Sequence, residues 1–135
     1  MAIRWNEVYE PLEHLKPQTI LCKCKVYKVQ RNYRVYVPRI AVESLGLTPD
    51  NKSIYIYVTD KKIYCNTTPL TEEQIKKYKV VNTLKRNSTL LKSGSCFFNL
   101  EKTIRRLYPK VTEISIRSVK DDKDIFELQF WAGNR

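Results

Sequence analysis

A proline standing between an alternating apolar stretch and a short helix-periodic one constrains this chain more than any other feature. The segment Tyr33-Arg34-Val35-Tyr36-Val37-Pro38-Arg39-Ile40-Ala41-Val42-Glu43-Ser44-Leu45-Gly46-Leu47 reads as strand, stop, helix and exit. Val35 and Val37 fall on one face of a strand, with Arg34, Tyr36 and Pro38 on the other. Pro38 has no N–H for a ladder, and its fixed φ suits the first turn of a helix. Ile40, Val42 and Leu45 bring apolar groups into one or two helical turns, and Gly46 can take the positive φ that ends them. The turn-rich Thr48-Pro49-Asp50-Asn51-Lys52 leads to a second alternating strand, Ile54-Tyr55-Ile56-Tyr57-Val58, and Asp60-Lys61-Lys62 turns the chain into Ile63-Tyr64-Cys65. Upstream, Ile20, Cys22, Cys24 and Val26 alternate with Lys23, Lys25, Tyr27 and Val29 before a turn at Gln30-Arg31-Asn32. These patterns predict one hairpin over 23–29 and 33–38 and a second over 53–59 and 62–66.

The order strand, loop-helix, strand, turn, strand resembles the AbrB/MazE/SpoVT swapped-hairpin family of DNA-binding proteins. The resemblance covers residues 20–66, about a third of the chain, and rests on Arg-Val-Tyr-Val-Pro followed by Leu-Gly-Leu-Thr-Pro-Asp and an alternating strand. It implies a mainly β fold with short helices, built as a swapped-hairpin barrel in which two hairpin-helix-hairpin units interleave. It also implies that the first hairpin and its neighbouring loops face DNA. Arg34 stands where the family commonly carries a DNA-contacting arginine, and Lys28 and Arg31 lie in the corresponding strand end and turn. The chain departs from the family in two places: Tyr33 replaces the glycine before that arginine, and Val42-Glu43 replaces a basic pair in the loop-helix.

The second half shows the same element order. Thr71-Glu72-Glu73-Gln74 forms a capping box ahead of Ile75 and Tyr78, which predicts a connecting helix over about 72–79. Shifting the first half by 62 residues places Val35-Tyr36-Val37-Pro38 over Phe97-Phe98-Asn99-Leu100, Val42 over Ile104, Leu45 over Leu107 and Ile54 over Ile116. The turn Gln30-Arg31-Asn32 falls on Lys92-Ser93-Gly94, and Arg34 on Cys96. Residues 111–119 alternate, 121–124 turn, and Phe126, Leu128 and Phe130 share one face of a last strand. The expected division is an N-terminal extension (1–19), a first unit (20–66), a linker with a short helix (67–81) and a degenerate second unit (82–135). A 45-residue unit is too small to bury a core alone. Two units on one chain therefore predict an intrachain pseudo-dimer, monomeric in solution, with a homodimer as the alternative. Within the extension, Pro11 and Pro17 bracket a single possible helical turn.

Charge points to the partner. The chain carries 25 Lys and Arg against 14 Asp and Glu, a net charge of +11. Two windows, between Glu13 and Glu43 and between Glu73 and Glu101, contain no acid; they hold Lys16, Lys23, Lys25, Lys28, Arg31, Arg34 and Arg39, then Lys76, Lys77, Lys79, Lys85, Arg86 and Lys92. Both windows cover the first hairpin of a unit, whereas acids gather at the second hairpins. This segregation predicts one basic face for a polyanion. The candidate DNA-binding residues are Lys23, Lys25, Lys28, Arg31, Arg34, Arg39, Lys85, Arg86 and Lys92. Tyr27, Tyr33 and Tyr36 interleave with these bases, either stacking on the ligand or packing along the strands.

Other functions find less support. The single histidine, His14, has no nucleophile beside it, and the chain has no P-loop; no catalysis and no cofactor are expected. Cys22-Lys23-Cys24 with Cys65 and Cys96 does not make a zinc pattern, and reduced thiols are expected. No apolar run reaches the ~20 residues of a membrane span, and the start, Met-Ala-Ile-Arg-Trp-Asn-Glu, has no signal-peptide core. The expectation is a soluble, cytoplasmic, nucleoid-associated protein; three glycines against nine tyrosines suit a thermophilic source. The main expectation is a transcriptional regulator on duplex DNA. An antitoxin-like protein-interaction module and a single-stranded nucleic-acid binder are the alternatives.

Overall fold

The computed structural model describes residues 20–119 and 122–132. The expected N-terminal extension, with His14 and Lys16, lies outside the described residues. Nine strands and three short helices alternate along the described chain. They are β1 (Ile20–Val29), β2 (Asn32–Val37), α1 (Arg39–Leu45), β3 (Ser53–Val58), β4 (Ile63–Asn66) and α2 (Glu72–Tyr78). β5 (Asn82–Asn87), β6 (Thr89–Leu90), β7 (Cys96–Asn99), α3 (Lys102–Leu107), β8 (Val111–Val119) and β9 (Asp122–Ala132) follow.

Local chemistry sets the ends of these elements. Pro38 is extended (φ −62°, ψ 155°) and caps α1 through its carbonyl, which accepts from the Ala41 and Val42 amides at 3.0 Å. Gly46 closes α1 at φ 77°, the left-handed conformation that favours glycine. At α2 the capping box forms as its sequence predicts: the Gln74 amide donates to Thr71 Oγ1 at 3.2 Å, and the Thr71 amide donates to Gln74 Oε1 at 3.0 Å.

The strands form one antiparallel sheet in the order β5-β3-β4-β9-β8-β1-β2-β7-β6. Its two terminal strands, β5 and β6, are consecutive in the chain and separated by Ser88 alone, so the sheet curls into a nearly closed barrel. Cys24, Val26, Val35, Val37, Ile54, Ile56, Cys65, Cys96, Phe98, Ile114, Ile116, Leu128 and Phe130 fill the inside. Ala41, Val42 and Leu45 of α1 and Ile104 of α3 join the same core. Among the described residues no helix is long and apolar enough to cross a membrane.

Hairpins from the two halves alternate around the sheet. β3–β4 meets β9–β8, which meets β1–β2, which meets β7–β6. The pairings correspond residue by residue. Tyr27 opposite Arg34 has a counterpart in Thr89 opposite Phe97, 62 and 63 positions further on. Tyr57 opposite Tyr64 has one in Arg117 opposite Glu127, 60 and 63 positions further on. With these offsets, Lys23 opposite Ser115 corresponds to Lys85 opposite Tyr55, and the pairs Val35·Phe98 and Tyr64·Glu127 map onto themselves.

This register corrects the constant shift of 62. That shift sets Val35 on Phe97, but the buried residues of β7 are Cys96 and Phe98, and Phe97 lies on the outer face. A slip of one residue along a strand exchanges its faces. The partner position of Arg34 is therefore Phe97, not Cys96. The offset differs between strands because the two halves have different loop lengths, with 30–31 joining the first pair and 91–95 the second.

Candidate nucleic-acid interface

Alternation builds the candidate surface. Cys24 and Val26 of β1, Val35 and Val37 of β2, and Cys96 and Phe98 of β7 point into the core. Their neighbours Lys23, Lys25, Tyr27, Arg34, Tyr36 and Phe97 consequently stand on the outside of three adjacent strands. The rings form a row across them: Tyr27 meets Tyr36 edge-on at 5.6 Å between centroids, and Tyr36 meets Phe97 at 5.7 Å. The Arg34 guanidinium lies 4.2 Å above the Phe97 ring, with its Nε buried and without a hydrogen-bond partner. Stacking on a ring holds an arginine in place without using its hydrogen-bond donors. Beside this row an open groove of about 430 Å³ is lined by Lys23, Lys25, Tyr27, Tyr36, Pro38 and Ser95. One acid borders it: Glu113 on β8 approaches Lys23 at 4.0 Å.

The nine candidate cations do not all gather here. Lys23, Lys25 and Arg34 share the platform. Lys28 and Arg31 stand exposed at the β1–β2 tip, where the Arg31 carbonyl accepts a hydrogen bond from Arg105 Nη1 of α3. The Tyr33 hydroxyl ties the same tip to the Pro109 carbonyl at 2.7 Å. Arg39 and Lys92 lie at the opposite end of the strands. There the Arg39 side chain crosses Gly94 so closely that a Cβ at that glycine would sit 3.0 Å from Arg39 Cδ. Arg39 also pairs with Glu43 at 3.5 Å. Lys85 is exposed further around the barrel on β5, with its ammonium 5.8 Å from the Tyr55 ring. Arg86 departs furthest from expectation. It occupies the β5 position that corresponds to Cys24, is half-buried, and donates from Nε to the Asn99 carbonyl at 2.9 Å. This bond ties β5 to β7 beside the break in the sheet, away from the platform.

Two contributors escaped the sequence reading. Phe97 supports Arg34, and its outward direction was readable from the alternation of Cys96–Asn99. The basic stretch of α3, with Arg105 and Arg106 in its last turn, joins Lys28 and Arg31 at the tip. The signal was the run Lys102-Thr103-Ile104-Arg105-Arg106, which follows Glu101 and so fell outside both acid-free windows.

On the opposite side of the barrel, around β4 and β9, one acid pairs with two cations. Glu127 lies 3.6 Å from Lys62 and 3.7 Å from Arg117. Asp122 accepts from Gln74 Nε2 and the Tyr78 hydroxyl of α2, both at 3.1 Å. The stretch after β4 covers this side: the Tyr57 hydroxyl donates to Asn66 Oδ1 at 2.7 Å and accepts from the Leu70 amide. Burial holds the Tyr57 hydroxyl up at about 12.

The four cysteines are unpaired thiols. Cys22 and Cys24 Sγ atoms lie 3.8 Å apart. The Cys24 contact pulls the Cys22 thiol below its ordinary range against the effect of burial, while burial pushes Cys65 to about 12 and Cys96 to about 11. Among the described residues no group of three or more His, Cys, Asp or Glu is placed to hold a metal. No family model matches the chain, and no curated protein and no solved structure matches it either.

Proposed function

We propose that this chain is a DNA-binding protein of the transcriptional-regulator kind, related in design to the AbrB-like swapped-hairpin proteins, with the two units of one chain forming a pseudo-dimer. The alternation of hairpins around the sheet and the matching registers support that reading of the fold. One observation carries the function: Lys23, Lys25 and Arg34 are interleaved with Tyr27, Tyr36 and Phe97 on the outside of β1, β2 and β7, with Glu113 reaching Lys23 at 4.0 Å, whereas on the opposite side Glu127 pairs with both Lys62 and Arg117. Cations concentrated on one side release counterions from a phosphate backbone, and an ordered guanidinium reads a base edge. The reading assigns the surface no catalytic step.

Ring geometry favours duplex over single strand. Single-strand binders offer open aromatic faces to successive bases. Here Arg34 covers one face of Phe97, and Tyr36 is flanked by both Tyr27 and Phe97. Tyr27, at 53% exposure, is the most open ring of the row.

The test is titration of a labelled mixed-sequence duplex. Six phosphate contacts predict that affinity falls roughly 10³-fold between about 50 and 200 mM salt. Affinity that is negligible at low salt, or insensitive to salt, overturns the proposal. An unlabelled single strand of equal length should compete less well than the duplex; the reverse order moves the reading to single-stranded nucleic acid.

A further inference from the structure

The candidate surface lacks the symmetry of the pairing scheme beneath it. The pair Val35·Phe98 maps onto itself, so the centre of the outer face lies between β2 and β7. Around that centre the register equates Arg34 with Phe97, Lys25 with Asn87, Tyr27 with Thr89 and Tyr36 with Asn99. Only Lys23 and Lys85 match in kind. Two identical half-surfaces ask for a site with two-fold symmetry, because each half reads the same bases on opposite strands. Here one half offers two cations and two tyrosines where the other offers two asparagines, a threonine and a phenylalanine.

Resting on the DNA-binding reading, we infer that the chain recognises a non-palindromic duplex site, in one orientation, through a single central arginine. Arg34 is that arginine. A homodimer would present a second copy at the Phe97 position; this chain places there the ring on which Arg34 stacks at 4.2 Å. The two central positions thus work together on one base edge. A bidentate arginine prefers guanine, since O6 and N7 both accept in the major groove. Lys25 and Lys23 hold phosphates on the β1 side of the centre and set the direction in which the duplex lies. The corresponding side offers Lys85 and Asn87, whose Oδ1 already accepts from Ser53, while the Asn99 Oδ1 is buried.

Selection from a pool of duplexes with a randomised core tests this with the full chain. The expected outcome is an enriched sequence without two-fold symmetry, containing one strongly required guanine. Arg34→Ala should flatten the preference at that position by about tenfold, while affinity for the unselected pool falls only a few-fold. Phe97→Arg, which places an arginine on both sides of the centre, should shift the enriched sequence toward symmetry. A palindromic sequence enriched by the natural chain, or one unchanged in Arg34→Ala, overturns the inference. Duplex binding without any enrichment also overturns it but leaves the DNA-binding reading standing. Failure to bind any duplex at low salt removes both.

Discussion

The hairpin β1–β2 and the β5/β6–β7 arrangement share a pairing scheme but differ on both faces. Inside, Val35 and Val37 correspond to Phe98 and Leu100, all buried, so the same core position is filled at different volume. Two inner positions change character: Cys24 and Val26 correspond to Arg86 and Ser88. At the second of these, Ser88, the strand breaks into β5 and β6. Ser88 donates from both its amide and its hydroxyl to the Lys52 carbonyl at 2.9 Å, and Arg86 donates to the Asn99 carbonyl. Polar groups turned inward must find partners, and here they take carbonyls of neighbouring strands and loops. The continuous β1 needs no such repair, because its inner residues are apolar. Outside, packing imposes no matching demand, and there the hairpins diverge into a cationic-aromatic platform and a mostly neutral surface.

The largest test addresses what the hairpins share. Phe98→Ala should cost about 3–5 kcal/mol and Val35→Ala about 2 kcal/mol, measured by denaturant unfolding. Equal, small losses at both positions would mean that they do not fill a common core. The next test addresses where the hairpins differ. Lys25→Ala with Arg34→Ala should weaken binding to a duplex of the selected sequence about 100-fold at low salt, with the unfolding midpoint nearly unchanged. Arg86→Leu should do the reverse. Losing its bond to the Asn99 carbonyl should cost roughly 1–3 kcal/mol of stability and leave duplex affinity intact; a binding loss without a stability loss would return Arg86 to the interface. Lys85→Ala, the counterpart of Lys23, should change affinity by less than about threefold as a single exposed phosphate contact. Smallest of all, limited alkylation near neutral pH should label Cys22 before the other thiols. Its Cys24 contact favours the thiolate, whereas burial keeps Cys65 and Cys96 protonated up to about 12 and about 11.

Much of the architecture was legible before any coordinates. Pro38 and Gly46 bracket α1, Thr71 and Gln74 start α2, and the alternating stretches become β1–β4, β8 and β9, because each depends on residues within a few positions of one another. The two acid-free windows were legible in the same way, but not the face on which each of their cations stands. Arg86 shows where such reading fails. It lies in a basic window and looks like its neighbour Lys85, yet one position along a strand separates outward from inward.

The sequence by itself determined the local elements and the excess of cations around the first hairpins, since backbone preference and alternation act over short spans. Only the tertiary structure decided the register between the halves, with Phe97 opposite in role to Arg34, and only it placed Arg105 beside the Arg31 tip. It also separated Lys23, Lys25 and Arg34 from Arg39, Lys85, Arg86 and Lys92. The physical reason is that these outcomes follow from pairing between strands some sixty residues apart, set by loop lengths and by which face fills the core; no run of neighbouring residues records that choice.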